Sequence, residues 1–209
     1  MKNKPAQKLF LFDFDGVIVD SLDVYEGTVT RCLNQIGQPI VKSRADFLEL
    51  YEDNFYESLV KKGVDLDAFM AAAVGILAQI NYDEITPFYE VLPVLAKLRE
   101  NNILVVISSS DSHDINTSMV QYHFDGYFRE ILGSDANLNK KEKILHAMVQ
   151  FGMDAERTYY VGDTAGDIKE GKMAGVKTVA VTWGWHTKEQ LAAMEPDYLI
   201  DKPEDLLKI

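Results

Sequence analysis

The sequence has little of three things: cysteine, clustered positive charge and long uncharged stretches. Cys32 is the single cysteine in 209 residues, so the chain forms no intramolecular disulfide, which favours a reducing compartment. Lys and Arg number 21 against 33 Asp and Glu, and no basic run offers the surface that binds a phosphate backbone. We therefore expect neither nucleic acid nor an anionic membrane surface as a partner.

The hydrophobic residues are dispersed, although they make up 47% of the chain and suffice for a folded core. The longest uncharged stretch, residues 68–82, is shorter than the roughly 20 residues that span a bilayer. Residues 1–8 are polar and lysine-rich, and the apolar run after them is interrupted at Asp13 and Asp15, unlike a signal peptide. We expect a soluble, cytoplasmic protein, as a monomer or a homodimer.

Four short apolar runs predict buried parallel strands, because they are apolar on both faces. They are residues Leu9–Phe12, Ile103–Ile107, 159–161 and 178–181. Helical patterns lie between them, for example over residues 91–99 and 143–149. Alternating strands and helices predict an α/β fold with a parallel sheet. Residues 21–86 show helix-like periodicity without a clear strand, which indicates a helical insertion directly after the first strand.

Two aspartates follow the first predicted strand. Asp13 and Asp15 are two residues apart, so they face one side if strand geometry continues. The carboxyl ends of strands are where open α/β sheets bind ligands. Two carboxylates there repel each other unless a cation or hydrogen bonds compensate. A single Asp in such a loop is more often a cap or turn residue, but the pair favours a functional site.

The third predicted strand ends in the same way, in Gly162, Asp163 and Asp167. The two aspartates are four apart and share a face if the segment is helical. Helix capping explains one of them but hardly both.

The second strand ends in Ser108 and Ser109, whose hydroxyl groups and amides suit a phosphoryl oxygen, although serines are also ordinary loop residues.

Three lysines, Lys140, Lys141 and Lys143, open a later helix, where positive charge opposes the helix dipole. A lysine in that position indicates a negative site nearby, while solvent exposure is the ordinary interpretation for at least two of the three. Lys140 stands farthest forward and is our choice, with Lys141 as the alternative.

Together these groups predict phosphoryl chemistry that depends on a metal. Mg²⁺ prefers oxygen ligands and neutralises the charge that keeps a carboxylate from attacking a phosphate dianion. Asp13 would attack phosphorus and form an aspartyl-phosphate. Asp15 would protonate the leaving oxygen and then deprotonate the hydrolytic water.

The order of DFDGVIVDS, a strand ending in Ser108, a lysine and GDTAGD resembles the four motifs of the haloacid dehalogenase superfamily. Residues 87–111 and 181–207 are also similar to its phosphoglycolate phosphatase-like branch. The resemblance covers nearly the whole chain. It implies a Rossmann-like core of residues 1–16 and 87–209, with a helical cap of residues 17–86.

The resemblance also implies roles for the site residues. Asp13 is the nucleophile and a Mg²⁺ ligand, and Asp15 is the acid and base and gives its backbone carbonyl to the metal. Asp163 ligates Mg²⁺, while Asp167 is either a further ligand or supports one. Ser108 and the lysine bind the phosphoryl group and stabilise its charge, and we expect Gly16 and Ser109 to contribute to substrate binding.

The expected function is a Mg²⁺-dependent phosphatase acting on a small phosphorylated metabolite, phosphoglycolate-like or a sugar phosphate. A phosphotransferase similar to β-phosphoglucomutase would share the catalytic residues and stays open. Dehalogenases of the superfamily do not need the second aspartate, so Asp15 favours phosphoryl chemistry. A response-regulator receiver domain has another motif order, and a non-catalytic phospho-ligand-binding protein is a remote alternative because no motif residue is missing.

Overall fold

The computed structural model of the chain describes residues 7–77 and 79–209, with the side chain of Tyr82 excepted. Residues 1–6 of the predicted core, most of the amino-terminal segment, and residue 78 of the predicted cap lie outside these ranges. The strands are β1 Leu9–Phe12, β2 Val19–Asp20, β3 Thr86–Pro87, β4 Ile103–Ile107, β5 Glu130–Leu132, β6 Thr158–Gly162, β7 Lys177–Val181 and β8 Tyr198–Ile200. The helices are α1 Leu22–Gln35, α2 Arg44–Glu49, α3 Phe55–Lys61, α4 Leu66–Leu77, α5 Leu92–Leu98, α6 Ser112–Gln121, α7 Lys140–Phe151, α8 Ala165–Ala174 and α9 Lys188–Ala193.

Six strands form one parallel sheet in the order β5-β4-β1-β6-β7-β8. The first strand of the chain is therefore central, with β4 on one side and β6 on the other. This arrangement confirms the predicted α/β fold with a parallel, Rossmann-like sheet. The edge strands β5 and β8 were not predicted, because they are three residues long and only partly buried.

The two faces of the sheet are covered by separate apolar clusters, because side chains alternate along a strand. Phe10 and Phe12 point to one face and pack in a cluster that includes residues of α5 and α6. Leu9 and Leu11 point to the other and pack with Ile144 of α7. All four β1 side chains are fully buried, which is why this strand reads as a continuous apolar run.

Helices α1 to α4 lie between β1 and β4 in the chain, and we call residues 22–77 the helical segment. Their apolar side chains form a further cluster around Leu33, Phe47 and Leu59, to which Trp185 of the sheet region contributes. The short antiparallel pair β2 and β3 connects the two chain segments that flank the helical segment. Val17 and Ile85, inside the predicted cap range, pack in the sheet cluster. The exact division into core and cap stays a prediction.

No helix within residues 7–77 and 79–209 is both long enough and apolar enough to pass through a bilayer.

Candidate active site

The candidate site lies at the carboxyl ends of β1, β4 and β6. Asp13 follows β1, Ser108 follows β4 and Asp163 follows β6. The Asp13 backbone N–H continues the sheet by donating to the carbonyl of Val161, at 2.9 Å. A cavity of about 210 Å³ opens between this edge and the helical segment. Because the strands are parallel and adjacent, residues distant in sequence meet at one edge of the sheet.

Three carboxylates converge at this edge. Asp13, Asp163 and Asp167 are all buried, and each offers an oxygen within 4.8 Å of the others. Oδ2 of Asp163 accepts the backbone N–H of Trp185 at 2.7 Å. Its Oδ1 is buried and has no hydrogen-bond partner among the described residues. A buried carboxylate oxygen without a partner is costly, and a cation with oxygen ligands would satisfy it. The donor set therefore fits a hard divalent cation.

Two glycines make room for Asp163. A Cβ built on Gly16 would lie 2.0 Å from Oδ2 of Asp163, and one built on Gly184 would lie 2.3 Å from its Cβ. Gly16 also has a φ of 76°, in the left-handed region that glycine adopts without strain. Gly16 thus serves to let the aspartate approach the backbone after β1.

Lys140 lies between two members of the carboxylate cluster. Its Nζ is 2.6 Å from Oδ2 of Asp13 and 2.6 Å from Oδ1 of Asp167. The Lys140 side chain is 13% exposed, so these ion pairs are shielded from water. Burial opposes its charge, but the two carboxylates dominate and raise the pKa of Lys140 well above its ordinary value. The side chain is a fixed positive charge at the site.

Asp167 accepts hydrogen bonds on both of its carboxylate oxygens. It is the third residue of α8, where it forms a capping box with Thr164: Oδ2 accepts the hydroxyl of Thr164 at 2.6 Å and its N–H at 3.1 Å. Oδ1 accepts from Tyr160 at 3.0 Å as well as from Lys140. Although burial acts in the opposite direction, Lys140 and these hydrogen bonds lower the pKa of Asp167. One residue thus caps a helix and contributes charge to the site.

Asp15 is fixed by hydroxyl groups. Oδ1 accepts from Ser21 at 2.7 Å and Oδ2 accepts from Ser110 at 2.8 Å. The Ser110 hydroxyl also contacts the phenol of Tyr25 at 2.8 Å. Burial raises the pKa of Asp15, and the hydrogen bonds from Ser21 and Ser110 oppose this shift. The carboxyl group thus has a fixed orientation and a raised proton affinity.

Burial also raises the pKa of two cluster members. The pKa of Asp13 rises from 3.8 to about 8, with Lys140 acting against the shift. The pKa of Asp163 is raised well above its ordinary value by burial, then by Asp167 and Asp13. Like-charged carboxylates in a dry site disfavour one another's ionisation, and a bound cation would reverse this.

The serines after β4 take different positions. Ser108 is fully buried; its Oγ accepts the backbone N–H of Ser110 at 2.9 Å, and its carbonyl accepts from the ammonium of Lys143 at 2.7 Å. Ser109 and Ser110 line the cavity.

Lys143 is 2% exposed, and burial lowers its pKa to about 8. Of the predicted lysines, Lys140 contacts the carboxylates, whereas Lys143 anchors the backbone of the serine loop.

The helical segment is bonded directly to the site. The N–H of Gly166, in the first turn of α8, donates to the carbonyl of Tyr51 at 2.9 Å, and a Cβ there would lie 2.6 Å from the carbonyl of Asp53. Buried His186 accepts the N–H of Ala165 on Nδ1, so its Nε2 carries the proton and donates to the carbonyl of Leu48 at 3.1 Å. These contacts hold residues 48–53 against the first turn of α8.

The expectation that at least two of the three lysines are solvent-exposed is wrong, because Lys143 is buried and Lys140 is largely buried. The sequence interpretation also missed several groups that fix the site: Ser21, Ser110, Tyr160, Thr164 and His186. The Thr164 and Asp167 pair has the spacing of a capping box, which is a readable signal. Ser110 directly follows Ser108 and Ser109, but nothing in the sequence distinguishes it from them. The Tyr160 phenol and the Ser21 hydroxyl reach the aspartates only through the tertiary fold.

The fold and the site together define an α/β enzyme with a buried carboxylate cluster at the end of its central strands. Residues 10–181 match the family model described as haloacid dehalogenase-like hydrolase. The chain belongs to this family, and the resemblance noted in the sequence is confirmed.

Curated relatives and solved structures agree with this assignment. A phosphoglycolate phosphatase of Synechococcus elongatus is 25% identical over 95% of this chain and 94% of its own. A pyrophosphatase, PpaX, of Anoxybacillus flavithermus is 29% identical over 95% of this chain and 94% of its own. The structure of a predicted phosphatase from Clostridium acetobutylicum has a TM-score of 0.84 at 18% identity, covering 98% of this chain and 100% of that one. The last similarity shows the fold alone; the curated relatives support a phosphatase.

Proposed function

We propose that this protein is a Mg²⁺-dependent phosphatase that hydrolyses a small organic phosphate monoester through an aspartyl-phosphate on Asp13. The observation that carries the proposal is the placement of Asp13 and Asp15 at one cavity, with Lys140 2.6 Å from Asp13. Two carboxyl groups with different partners can divide nucleophilic and acid-base roles between them. The small phosphorylated metabolite is the partner that this site would bind.

Asp13 is the proposed nucleophile. A carboxylate oxygen of Asp13 forms a bond to phosphorus while the bond from phosphorus to the ester oxygen breaks. Its Oδ1 accepts the N–H of Phe14 at 2.7 Å, which fixes the plane of the carboxylate. Lys140 opposes the rise that burial causes in the pKa of Asp13, and it places positive charge beside the attacking oxygen, where it also offsets charge on the phosphoryl group.

Asp15 is the proposed acid and base. In its protonated form it gives a proton to the leaving oxygen, and as a carboxylate it then takes a proton from the water that cleaves the aspartyl-phosphate. The raised pKa of Asp15 suits the first step, and the hydroxyl groups of Ser21 and Ser110 support the ionised form needed in the second. Both oxygens have fixed partners, so the group is pre-oriented.

Asp13 and Asp163 are the proposed side-chain ligands of Mg²⁺, with the backbone carbonyl of Asp15 as a further ligand by family resemblance. Asp167 belongs to the same cluster, and its engagement with Lys140, Thr164 and Tyr160 favours a supporting position. When bound, the cation would neutralise phosphate charge so that a carboxylate can approach it. Ser109 lines the cavity, whereas Ser108 and Gly16 are buried and are assigned to the proposed phosphoryl pocket by family resemblance.

The test is phosphate release from a panel of phosphate monoesters that includes p-nitrophenyl phosphate, with Mg²⁺ or with excess chelator. We expect release to require the metal and to be lost in Asp13→Asn. Asp20→Asn removes an exposed carboxylate close by in the chain and serves as the control. Turnover at the parent rate by Asp13→Asn contradicts the proposal, and transfer to a sugar acceptor in preference to water favours the phosphomutase instead.

A further inference from the structure

The ionisable side chains that line the cavity are almost all acidic. Among the described residues, eight carboxyl side chains line it but a single ammonium, that of Lys140. The acidic residues are Asp13, Asp15, Asp53, Asp111, Asp114, Asp163, Asp167 and Glu170. Asp13, Asp15, Asp163 and Asp167 belong to the proposed catalytic centre. The other four line the rest of the cavity.

Lys140 is not available to a second anionic group. Both of its contacts are to catalytic-centre carboxylates at 2.6 Å, and the side chain is largely buried. Under the proposed function its charge serves the transferring phosphoryl group. An additional carboxylate or phosphate on the substrate would therefore find no described cation on the cavity wall.

The cations just outside the cavity are also engaged. Lys61 lies 3.1 Å from Oδ2 of Asp53, and Lys169 lies 2.5 Å from Oδ1 of the same residue. Glu170 accepts from the amide of Asn54 at 3.1 Å. Lys61 and Lys169 share the carboxylate of Asp53, and neither lysine is among the described residues that line the cavity, so the wall itself offers no free positive charge to a ligand.

The wall contributed by the helical segment is aromatic. Tyr51 meets Trp185 edge-to-face at 4.9 Å between ring centroids and stacks on Phe55 at 5.1 Å. Phe55 continues to Phe69 at 5.9 Å, and Met70 also lines the cavity. Burial raises the pKa of Tyr51 well above its ordinary value, so its phenol stays uncharged at neutral pH. Such a wall binds carbon surfaces and neutral polar groups.

From this charge pattern and aromatic wall we infer that the substrate is a phosphate monoester whose leaving group carries no negative charge and is largely apolar or aromatic. The inference rests on the proposed phosphatase function and narrows it. It separates this chain from substrates such as phosphoglycolate, whose leaving group carries a carboxylate, and pyrophosphate, whose leaving group is itself a phosphate. In this cavity a second anion meets like charge and gains no partner, which discriminates against it.

The experiment compares three esters that share the phosphoryl group and the ring: phenyl phosphate, 4-carboxyphenyl phosphate and 4-(aminomethyl)phenyl phosphate. With the Mg²⁺-loaded protein we expect kcat/KM for phenyl phosphate to exceed that for the carboxyl ester by about tenfold or more, a factor that corresponds to about 1.4 kcal/mol. Phosphoglycolate and pyrophosphate should be poor substrates in the same assay. Equal or better use of the carboxyl ester overturns the inference, and so does use of the aminomethyl ester that is no better than that of the carboxyl ester.

A charge variant provides a second readout. Met70→Lys places a cation on the aromatic wall and should raise the relative use of the carboxyl ester several-fold, whereas Met70→Gln, similar in length and uncharged, should leave the ratio near that of the parent. An unchanged ratio in Met70→Lys counts against the inference. Failure of the proposed function would look different from failure of this inference. In that case none of the esters, p-nitrophenyl phosphate included, would release phosphate in an Asp13-dependent manner.

Discussion

The ammonium of Lys140 lies 2.6 Å from the carboxylate Oδ2 of Asp13, although 127 positions separate the two residues in the chain. Lys140 is the first residue of α7, and Asn139 caps that helix through a capping box with Glu142. The cap fixes where α7 begins and therefore where the lysine points. A positive charge at the start of a helix is unfavourable by itself, and the carboxylates of Asp13 and Asp167 compensate for it.

Lys140→Met should reduce kcat/KM by about a hundredfold or more, because the transition state loses a fixed positive charge. Lys141→Met, one position further along the same helix, is the matched control and should stay within about twofold of the parent. Steady-state phosphate release by the two variants, with circular dichroism to check folding, measures this. Equal losses in both variants would contradict the assignment of Lys140.

Ser110→Ala and Ser21→Ala each remove one hydroxyl that donates to Asp15. Because these bonds favour the carboxylate, their loss raises the pKa of Asp15 further. We expect kcat to fall about tenfold and the acidic limb of its pH profile to move to higher pH. Thr117→Ala, which removes an exposed hydroxyl from α6, is the control. A lower kcat without any shift of the acidic limb would indicate a merely structural role.

Asp163→Asn should abolish a stabilising effect of Mg²⁺. Metal that binds only the folded state at a hundredfold excess over Kd adds about 2.7 kcal/mol, which for a chain of this size raises Tm by about 5–10 °C. The unpartnered Oδ1 of Asp163 makes this residue the most direct probe. Thermal melts with and without Mg²⁺ measure the effect independently of catalysis, and the same Tm rise in the variant would contradict the metal site.

The metal-free protein should lose stability as the pH rises from about 5 to 8. The pKa of Asp13 is raised from 3.8 to about 8 in the fold and that of Asp163 is raised well above its ordinary value, so over this range the folded state holds protons that the unfolded chain has released. The free energy of unfolding therefore decreases with pH. Asp13→Asn removes one of these groups, and its stability relative to the parent should increase by about 1–3 kcal/mol across the range.

Urea denaturation in chelator at several pH values measures this difference, with Asp20→Asn as the control for general charge repulsion in a chain of net charge −12. The control should follow the parent. An Asp13→Asn protein whose stability relative to the parent is constant or falls with rising pH would contradict the raised pKa of Asp13.

The sequence predicted the central strands because their side chains are buried on both faces and leave an uninterrupted apolar run. It did not predict β5 and β8, since an edge strand of three residues carries no such pattern. The positions of Asp13, Asp15 and Asp163 at one edge could be predicted from the parallel sheet. The hydroxyl donors to Asp15 could not be predicted, because Ser21 reaches Asp15 only after the chain has turned at Gly16, and Ser110 comes from another strand.

The same contrast applies to Asp167. Its spacing from Asp163 predicted proximity through a shared helical face, but Asp163 precedes the cap of α8 and the two carboxylates meet because β6 delivers one and the first helical turn the other. The contact of Asp167 with Tyr160 depends on how α8 packs on β6, which local sequence does not encode. Asp167 takes part in the cap of α8 and also belongs to the carboxylate cluster. The capping explanation and the functional explanation of this residue are therefore both correct.

The central position of β1 has a consequence for the order of events during folding. Among the described strands β1 comes first in the chain, yet its two neighbours in the sheet, β4 and β6, begin at Ile103 and Thr158. Pairings between such distant segments form slowly, because long loops must close before any contact is gained. Asp13 therefore reaches its place beside Asp163 only after β6 has been synthesised, and no truncated product that ends before β6 can assemble the carboxylate centre.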